Sequence, residues 1–232
     1  MDKLTRKELK TDHFVEEIGH GVDFLAGHRK QMGLYGIIAA AVVLLGIGGY
    51  YYMQTQKASR QELLAKAYLV QAAQAGPSQQ PGVTLPYATE ADKERAAGKA
   101  FAEVAAKFGS SDEGQVAKYF LGVQAANAAK WPDAEKFLKE VADGGQAEVA
   151  SSAKLALAQV YAAQNKMTEA EAMYRGLIDK PSAFVSKEQA QIALGRLLTP
   201  TKPAEAKKLL EPLRSDRAAV SRAALNALGD VK

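Results

Sequence analysis

Three stretches carry the fold: Pro132-Asp133-Ala134-Glu135-Lys136-Phe137-Leu138, Thr168-Glu169-Ala170-Glu171-Ala172-Met173-Tyr174 and Ala204-Glu205-Ala206-Lys207-Lys208-Leu209-Leu210. Ala134, Ala170 and Ala206 stand 36 residues apart, and so do Leu138, Tyr174 and Leu210. Phe137, Met173 and Leu209 repeat the spacing, which reaches back to Phe101. Self-similarity at a fixed period of this size marks stacked supersecondary units. Twelve residues before the first two alanines come Leu121-Gly122 and Leu157-Ala158, and Tyr161 follows Ala158 by three. A small residue on one helix and an alanine on the next let two antiparallel helices approach closely. The larger residues then fill the seam between that hairpin and its neighbour.

The surrounding chain agrees. Residues 54–232 are rich in alanine, leucine, lysine, glutamate and glutamine, all strong helix formers. No stretch sustains the period-two alternation of β-branched residues that marks a strand. All eight prolines follow residue 76, and Pro132, Pro181, Pro200 and Pro203 stand at or beside expected turns. The pattern predicts helices over 55–75, 89–107, 113–129, 132–143, 147–164, 168–179, 186–198, 203–214 and 217–228. Gly109 and Gly144 are expected C-terminal stops, and Thr89 with Asp92 an N-terminal capping pair. The segment 76–88 holds Gly76, Pro77, Pro81, Gly82 and Pro86. It is a long loop for a helical array and a candidate contact element. Trp131, the only tryptophan, sits at a turn before Pro132. It either packs on the neighbouring hairpin or stands out as a partner anchor.

Toward the N-terminus, Gly33 to Met53 read GLYGIIAAAVVLLGIGGYYYM, 21 residues without a charge. At about 1.5 Å per residue this is roughly 30 Å of helix, the thickness of a bilayer's hydrocarbon core. The run is too long and begins too late for a cleaved signal peptide, and Tyr50-Tyr51-Tyr52-Met53 offers no small-residue cleavage site. An uncleaved anchor is expected, its tyrosines forming an interfacial belt. Before the span lie Lys3, Arg6, Lys7, Lys10, Arg29 and Lys30; in the twenty residues after it, only Lys57, Arg60 and Lys66. That bias puts the tail (1–32) in the cytoplasm, the span at 33–53 and the domain 54–232 outside, on the periplasmic face of the inner membrane if the cell is Gram-negative. Gly36 and Ala40, with Gly46, Gly48 and Gly49, leave a helix-packing face in the membrane open.

In the tail, Phe14, Ile18, Val22 and Leu25 form one apolar stripe on a short helix, with Thr11 or Asp12 as N-cap. Glu16, Glu17 and Asp23 make its polar face acidic, so docking on a protein competes with lying on lipid. All three histidines are here, and His13, Glu17 and His20 share a face. Two further ligands are wanting and the order is not HExxH, so no metal is expected.

The chemistry of the large domain is bounded by what it lacks. The chain has no cysteine and no histidine after His28. That removes thiol catalysis, disulfides, histidine bases and histidine metal sites from residues 54–232. No phosphate-binding glycine loop and no GxSxG elbow is present. Asp133 with Glu135, and Glu169 with Glu171, are expected on solvated helix starts, where they favour the helix dipole. No cofactor, metal or small-molecule substrate is expected, and the chain reads as no enzyme. The net charge of +4 falls in the external domain, since the tail balances six basic against six acidic residues. Its Lys and Arg are interleaved with acids, so nucleic acid is not the expected partner.

The spacing of Leu121-Gly122 to Ala134, and of Leu157-Ala158-Tyr161 to Ala170, resembles the tetratricopeptide repeat, with a period of 36 where that family usually has 34. The expected fold is all-α: a single N-terminal transmembrane helix followed by a tetratricopeptide-like helical-hairpin repeat domain. The order of parts resembles the ancillary SecYEG translocon subunit family. That resemblance implies a helper at the membrane whose protein partners are the Sec translocon or periplasmic chaperones. A structural subunit of another envelope assembly, in outer-membrane biogenesis, secretion or cell-wall machinery, stays open as the alternative. Register places Tyr119, Val123 and Asn127, then Ser152, Leu155 and Gln159, on the concave side of the first helices. These six are the candidate partner-binding residues. A groove of mixed apolar and amide character is expected there, with no cation to pair with a carboxylate.

Overall fold

The computed structural model describes residues 29–76, 84–215 and 218–229. The helix expected in the tail, with the three histidines, and Pro77, Pro81 and Gly82 of the long loop, lie outside them. Among the described residues nine α-helices run α1 Arg29–Ala72, α2 Glu90–Phe108, α3 Asp112–Asn127, α4 Trp131–Gly144, α5 Ala147–Ala163, α6 Met167–Asp179, α7 Lys187–Leu198, α8 Pro203–Leu210 and α9 Ala218–Gly229. No strand occurs among the described residues; an isolated bridge between Ala75 and Tyr87 ties the two ends of the long loop. The chain divides into two units, Met1–Lys57 and Ala58–Lys232.

In the first unit, the residues of α1 from Leu34 to Met53 are exposed throughout, Leu45 by 76% and Ile37 by 69%. By length and hydropathy this helix is able to cross a membrane.

The second unit is a run of antiparallel hairpins. The first helices are α3, α5 and α7; each is followed by a second helix, α4, α6 and α8, and α9 ends the array. Local chemistry sets the ends. Thr89 caps α2 by accepting the Asp92 N–H, while its hydroxyl donates to Asp92 Oδ2 at 2.7 Å. Ser111 caps α3 and Ser186 caps α7 in the same way, through the amides of Gly114 and Gln189. The turn within a hairpin is built on a left-handed residue, Ala129 at φ 54° and Asn165 at φ 59°, 36 apart. Lys130 N then donates to Ala125 O, and Lys166 N to Tyr161 O, five residues back. In the third hairpin Lys202 N donates only four back, to Leu198 O. That turn is one residue shorter and has no left-handed position.

The repeat register is filled as expected. Ala134, Ala170, Ala206, Leu138, Leu157 and Leu210 are all fully buried. A Cβ on Gly122 would come within 2.7 Å of Leu138, and one on Gly195 within 2.7 Å of Leu210, so each hairpin closes over a glycine or over Ala158. Gly195 stands 37 residues after Ala158 and eleven before Ala206. The residue lost from the third turn is thus regained before α7, in the connection 180–186. Phe101 stacks on Phe120 at 4.7 Å between centroids, with Tyr68 edge-on to both; with Val104 and Ala67 they join the start of the array to residues 58–72. Each fully buried leucine contributes about 1.5–3 kcal/mol of transfer free energy.

Two expectations need correction and one open alternative is decided. The helix expected over 203–214 is α only to Leu210 and continues as a 3-10 turn, Glu211–Ser215. Pro212 has no N–H for an α-helical bond, so the α ladder stops there, although Glu211 before it keeps α-region backbone at φ −56° and ψ −43°. Gly144 is the last residue of α4 and Gly145, at φ −79°, is its cap, so neither supplies a left-handed stop. Trp131 is half-buried against the main core, the packing alternative of the two left open.

Candidate partner-binding groove on the first-helix layer

The two layers of the array carry their charges differently. On the second helices, Glu135 of α4 meets Lys166 at 2.7 Å and Gln164 at 2.7 Å from the next hairpin, and its own-helix Lys139 at 3.4 Å. One repeat on, Glu171 meets Lys202 at 2.9 Å and Arg175 at 2.7 Å, and Arg175 also reaches Glu205 at 2.5 Å. Hydrogen bonds from Lys166 and Gln164 hold the Glu135 carboxyl below its ordinary range; those from Arg175 and Lys202 do the same for Glu171. These two carboxylates were expected on solvated helix starts. They instead bind hairpin to hairpin, because they point along the stack toward the lysine that begins the next second helix.

The first helices are poor in charge. Helix α5 has Glu148 and Lys154 in 17 residues, whereas α4 has six charged residues in 14. A groove of about 380 Å³ runs over this layer, lined by Leu155 and Gln159 of α5, Ser186 before α7, Gln189, Ile192, Ala193 and Arg196 of α7, and Val220 and Ala223 of α9. Ile192 is buried in its floor; Gln159, Gln189 and Arg196 are exposed at its rim. Ser186 is held by its cap bond, so the wall at the start of α7 is fixed.

Of the six residues singled out from the sequence, Leu155 and Gln159 line this groove. Tyr119, Val123 and Asn127 form one stripe on α3, Tyr119 and Val123 half-buried against the core and Asn127 exposed. Burial raises the Tyr119 phenol above its ordinary pKa, and its ring lies edge-on to Phe120. Ser152 is half-buried, its hydroxyl donating to Glu148 O in its own helix.

The expectation of no cation covered the places held by Tyr119, Val123, Leu155 and Gln159 on α3 and α5; one helix on, Arg196 of α7 brings a cation to the same groove. Because the first helix of the third hairpin is displaced by one residue, Arg196 is equivalent to Gln159, Ile192 to Leu155 and Gln189 to Ser152. The burial pattern shows the shift: Ala153, Leu157, Ala158 and Tyr161 of α5 correspond at +37 to Ala190, Leu194, Gly195 and Leu198, all buried. A strict period of 36 puts Gln189 and Arg196 in the core instead. Counting from Gly195 rather than from Ala206 would have found them.

Residues 29–208, 180 of the 232, match the family model of the tetratricopeptide repeat-like domain. The chain belongs to the tetratricopeptide repeat-like domain family. No curated protein and no solved structure matches it significantly. Domains of this repeat-like family mediate protein–protein interaction, and the match runs from the first residue of α1 into α8.

Proposed function

We propose that this protein is a membrane-anchored adaptor, held in the bilayer by residues 33–53 and binding partner proteins through the first-helix layer of its repeat domain on the extracytoplasmic side. The observation that carries this reading is the groove itself: an apolar floor of Leu155, Ile192 and Val220 with amide and guanidinium groups at its rim. Apolar pockets with a few placed polar groups suit a side chain or helix of another protein. The exposed apolar stretch of α1 supports the anchor, and the excess of Lys and Arg before it supports an N-terminus in the cytoplasm. The finer reading is assistance to protein translocation, or hand-over of emerging chains between the Sec translocon and periplasmic chaperones. An apolar groove on a tethered domain fits such segments.

Photo-crosslinking in intact membranes tests the reading. Probes at Tyr119, Asn127 and Gln159 are expected to give adducts with discrete proteins. Silence from all three, with adducts from probes at Lys136 and Lys208 on the second helices, would refute it. A reporter fused after Lys232 checks the orientation; activity confined to the cytoplasm would reverse it.

A further inference from the structure

The chain pairs its cations where they hold the stack together. Lys118 has Glu140, Lys139 and Lys166 have Glu135, Arg175 has Glu171 and Glu205, and Lys202 has Glu171. Arg196 is different. It is exposed at the rim of the groove and has no ion-pair partner among the described residues. None of the nine residues lining the groove is acidic. The three helices that bound it carry Lys154, Lys187, Arg196 and Arg222 against Glu148 and Glu188. Arg222 stands between the lining residues Val220 and Ala223, is exposed, and likewise has no ion-pair partner among the described residues. The lining positions Ser186, Gln189, Ala193 and Arg196 step along α7 over roughly 15 Å, enough for two to three turns of a bound helix.

We propose that this groove binds an amphipathic acidic segment of a partner protein, its apolar side chains over Leu155, Ile192 and Val220 and a side-chain carboxylate on Arg196. The proposal rests on the adaptor reading and names the chemistry of its ligand. The guanidinium presents a planar fork of donors that a carboxylate matches bidentately. The apolar floor beside it supplies burial, and lowers the local dielectric around the pair. Gln159, at the equivalent place one repeat earlier, offers a neutral amide, so the acidic preference is a property of the α7 end of the groove alone. Arg222 adds attraction at longer range, which salt screens.

The test uses the full chain in lipid nanodiscs with a photo-reactive residue at Gln189. The probes are three synthetic amphipathic peptides with the same leucine and alanine face and with glutamate, glutamine or lysine on the other. The glutamate peptide is expected to label the groove at about tenfold lower concentration than the glutamine peptide, the worth of one partly shielded charge-assisted pair, and the lysine peptide least. Arg196→Glu is expected to reverse the order of the glutamate and lysine peptides, and Arg196→Gln to level it. Both variants should melt as the parent does. Equal labelling by all three peptides would overturn the acidic preference while leaving a docking groove in place. Labelling by none would overturn the groove and the adaptor reading together. An unchanged preference in Arg196→Glu would overturn the assignment to Arg196.

Discussion

The second-helix layer and the first-helix layer are made from the same repeat yet treat charge in opposite ways. On α4 and α6, Glu135 and Glu171 are each tied to cations from two directions, and the ties recur with the repeat. Across α5, α7 and α9 the rim shows amides and, on Arg196, a guanidinium with no ion-pair partner among the described residues, around an apolar floor. The first surface ties its carboxylates between hairpins, whereas Arg196 on the second has no ion-pair partner among the described residues. In a repeat array each hairpin touches only its neighbours, so stacking requires just one face to be closed by polar ties. The other is free to recognise something else. Loss of stability should therefore follow substitutions in the seam and on the second helices, and loss of binding those on the first.

The seam should show the largest effect. Leu157→Ala and Leu138→Ala remove fully buried side chains and should each cost about 2–5 kcal/mol in thermal or urea unfolding. Ala134→Leu and Ala170→Leu put a large side chain where helices meet closely, and should each cost about 1–3 kcal/mol. If both leucine variants melted like the parent, the register through Ala134, Ala170 and Ala206 would be wrong.

The hairpin turns come next. Ala129 carries a Cβ in the left-handed region. Ala129→Gly should raise stability by about 1 kcal/mol, and the same change at Asn165 should gain less, since asparagine tolerates that conformation. A destabilised Ala129→Gly would show that the turn is not strained.

The polar ties should be worth less. Glu135→Gln and Glu171→Gln should each lower stability by at most about 1 kcal/mol, and the loss should shrink in high salt. Their pH dependence has a definite sign. The folded state holds both carboxyls below their ordinary value of 4.5, by hydrogen bonds from Lys166 and Gln164 and from Arg175 and Lys202. Their contribution is present above that value and is lost as pH falls through the lowered one. The parent should therefore lose more stability than the double glutamine variant on acidification from about pH 5 to about pH 3. Parallel losses would mean that the ties carry no net free energy.

Much of this architecture was legible in the sequence because close packing leaves a mark on residue size. Small residues at Gly122, Ala158, Ala134 and Ala170, with large ones at fixed offsets, give the hairpins and their period before any coordinates. The cap at Thr89 was readable for a similar reason, since its partner is three residues away. What escaped notice depends on the third dimension or on a compensated shift. Glu135 and Lys166 lie 31 residues apart, and only stacking brings them together. They do recur as Glu171 and Lys202, a period in charge that could have been sought as the period in alanine was. The groove was half legible. Leu155 and Gln159 line it, but Arg196 was hidden because one residue is gained before α7 and one lost after it.

The division between the layers is tested most directly by one paired measurement. Arg196→Glu and Glu171→Gln are placed separately in the full chain with a photo-probe at Gln189, and adduct yield in membranes is read beside melting temperature. Arg196→Glu should lose adducts and keep its melting temperature, whereas Glu171→Gln should melt lower and keep its adducts. If Arg196→Glu kept its adducts, or if Glu171→Gln lost them while folded, the two layers would not divide the work in this way.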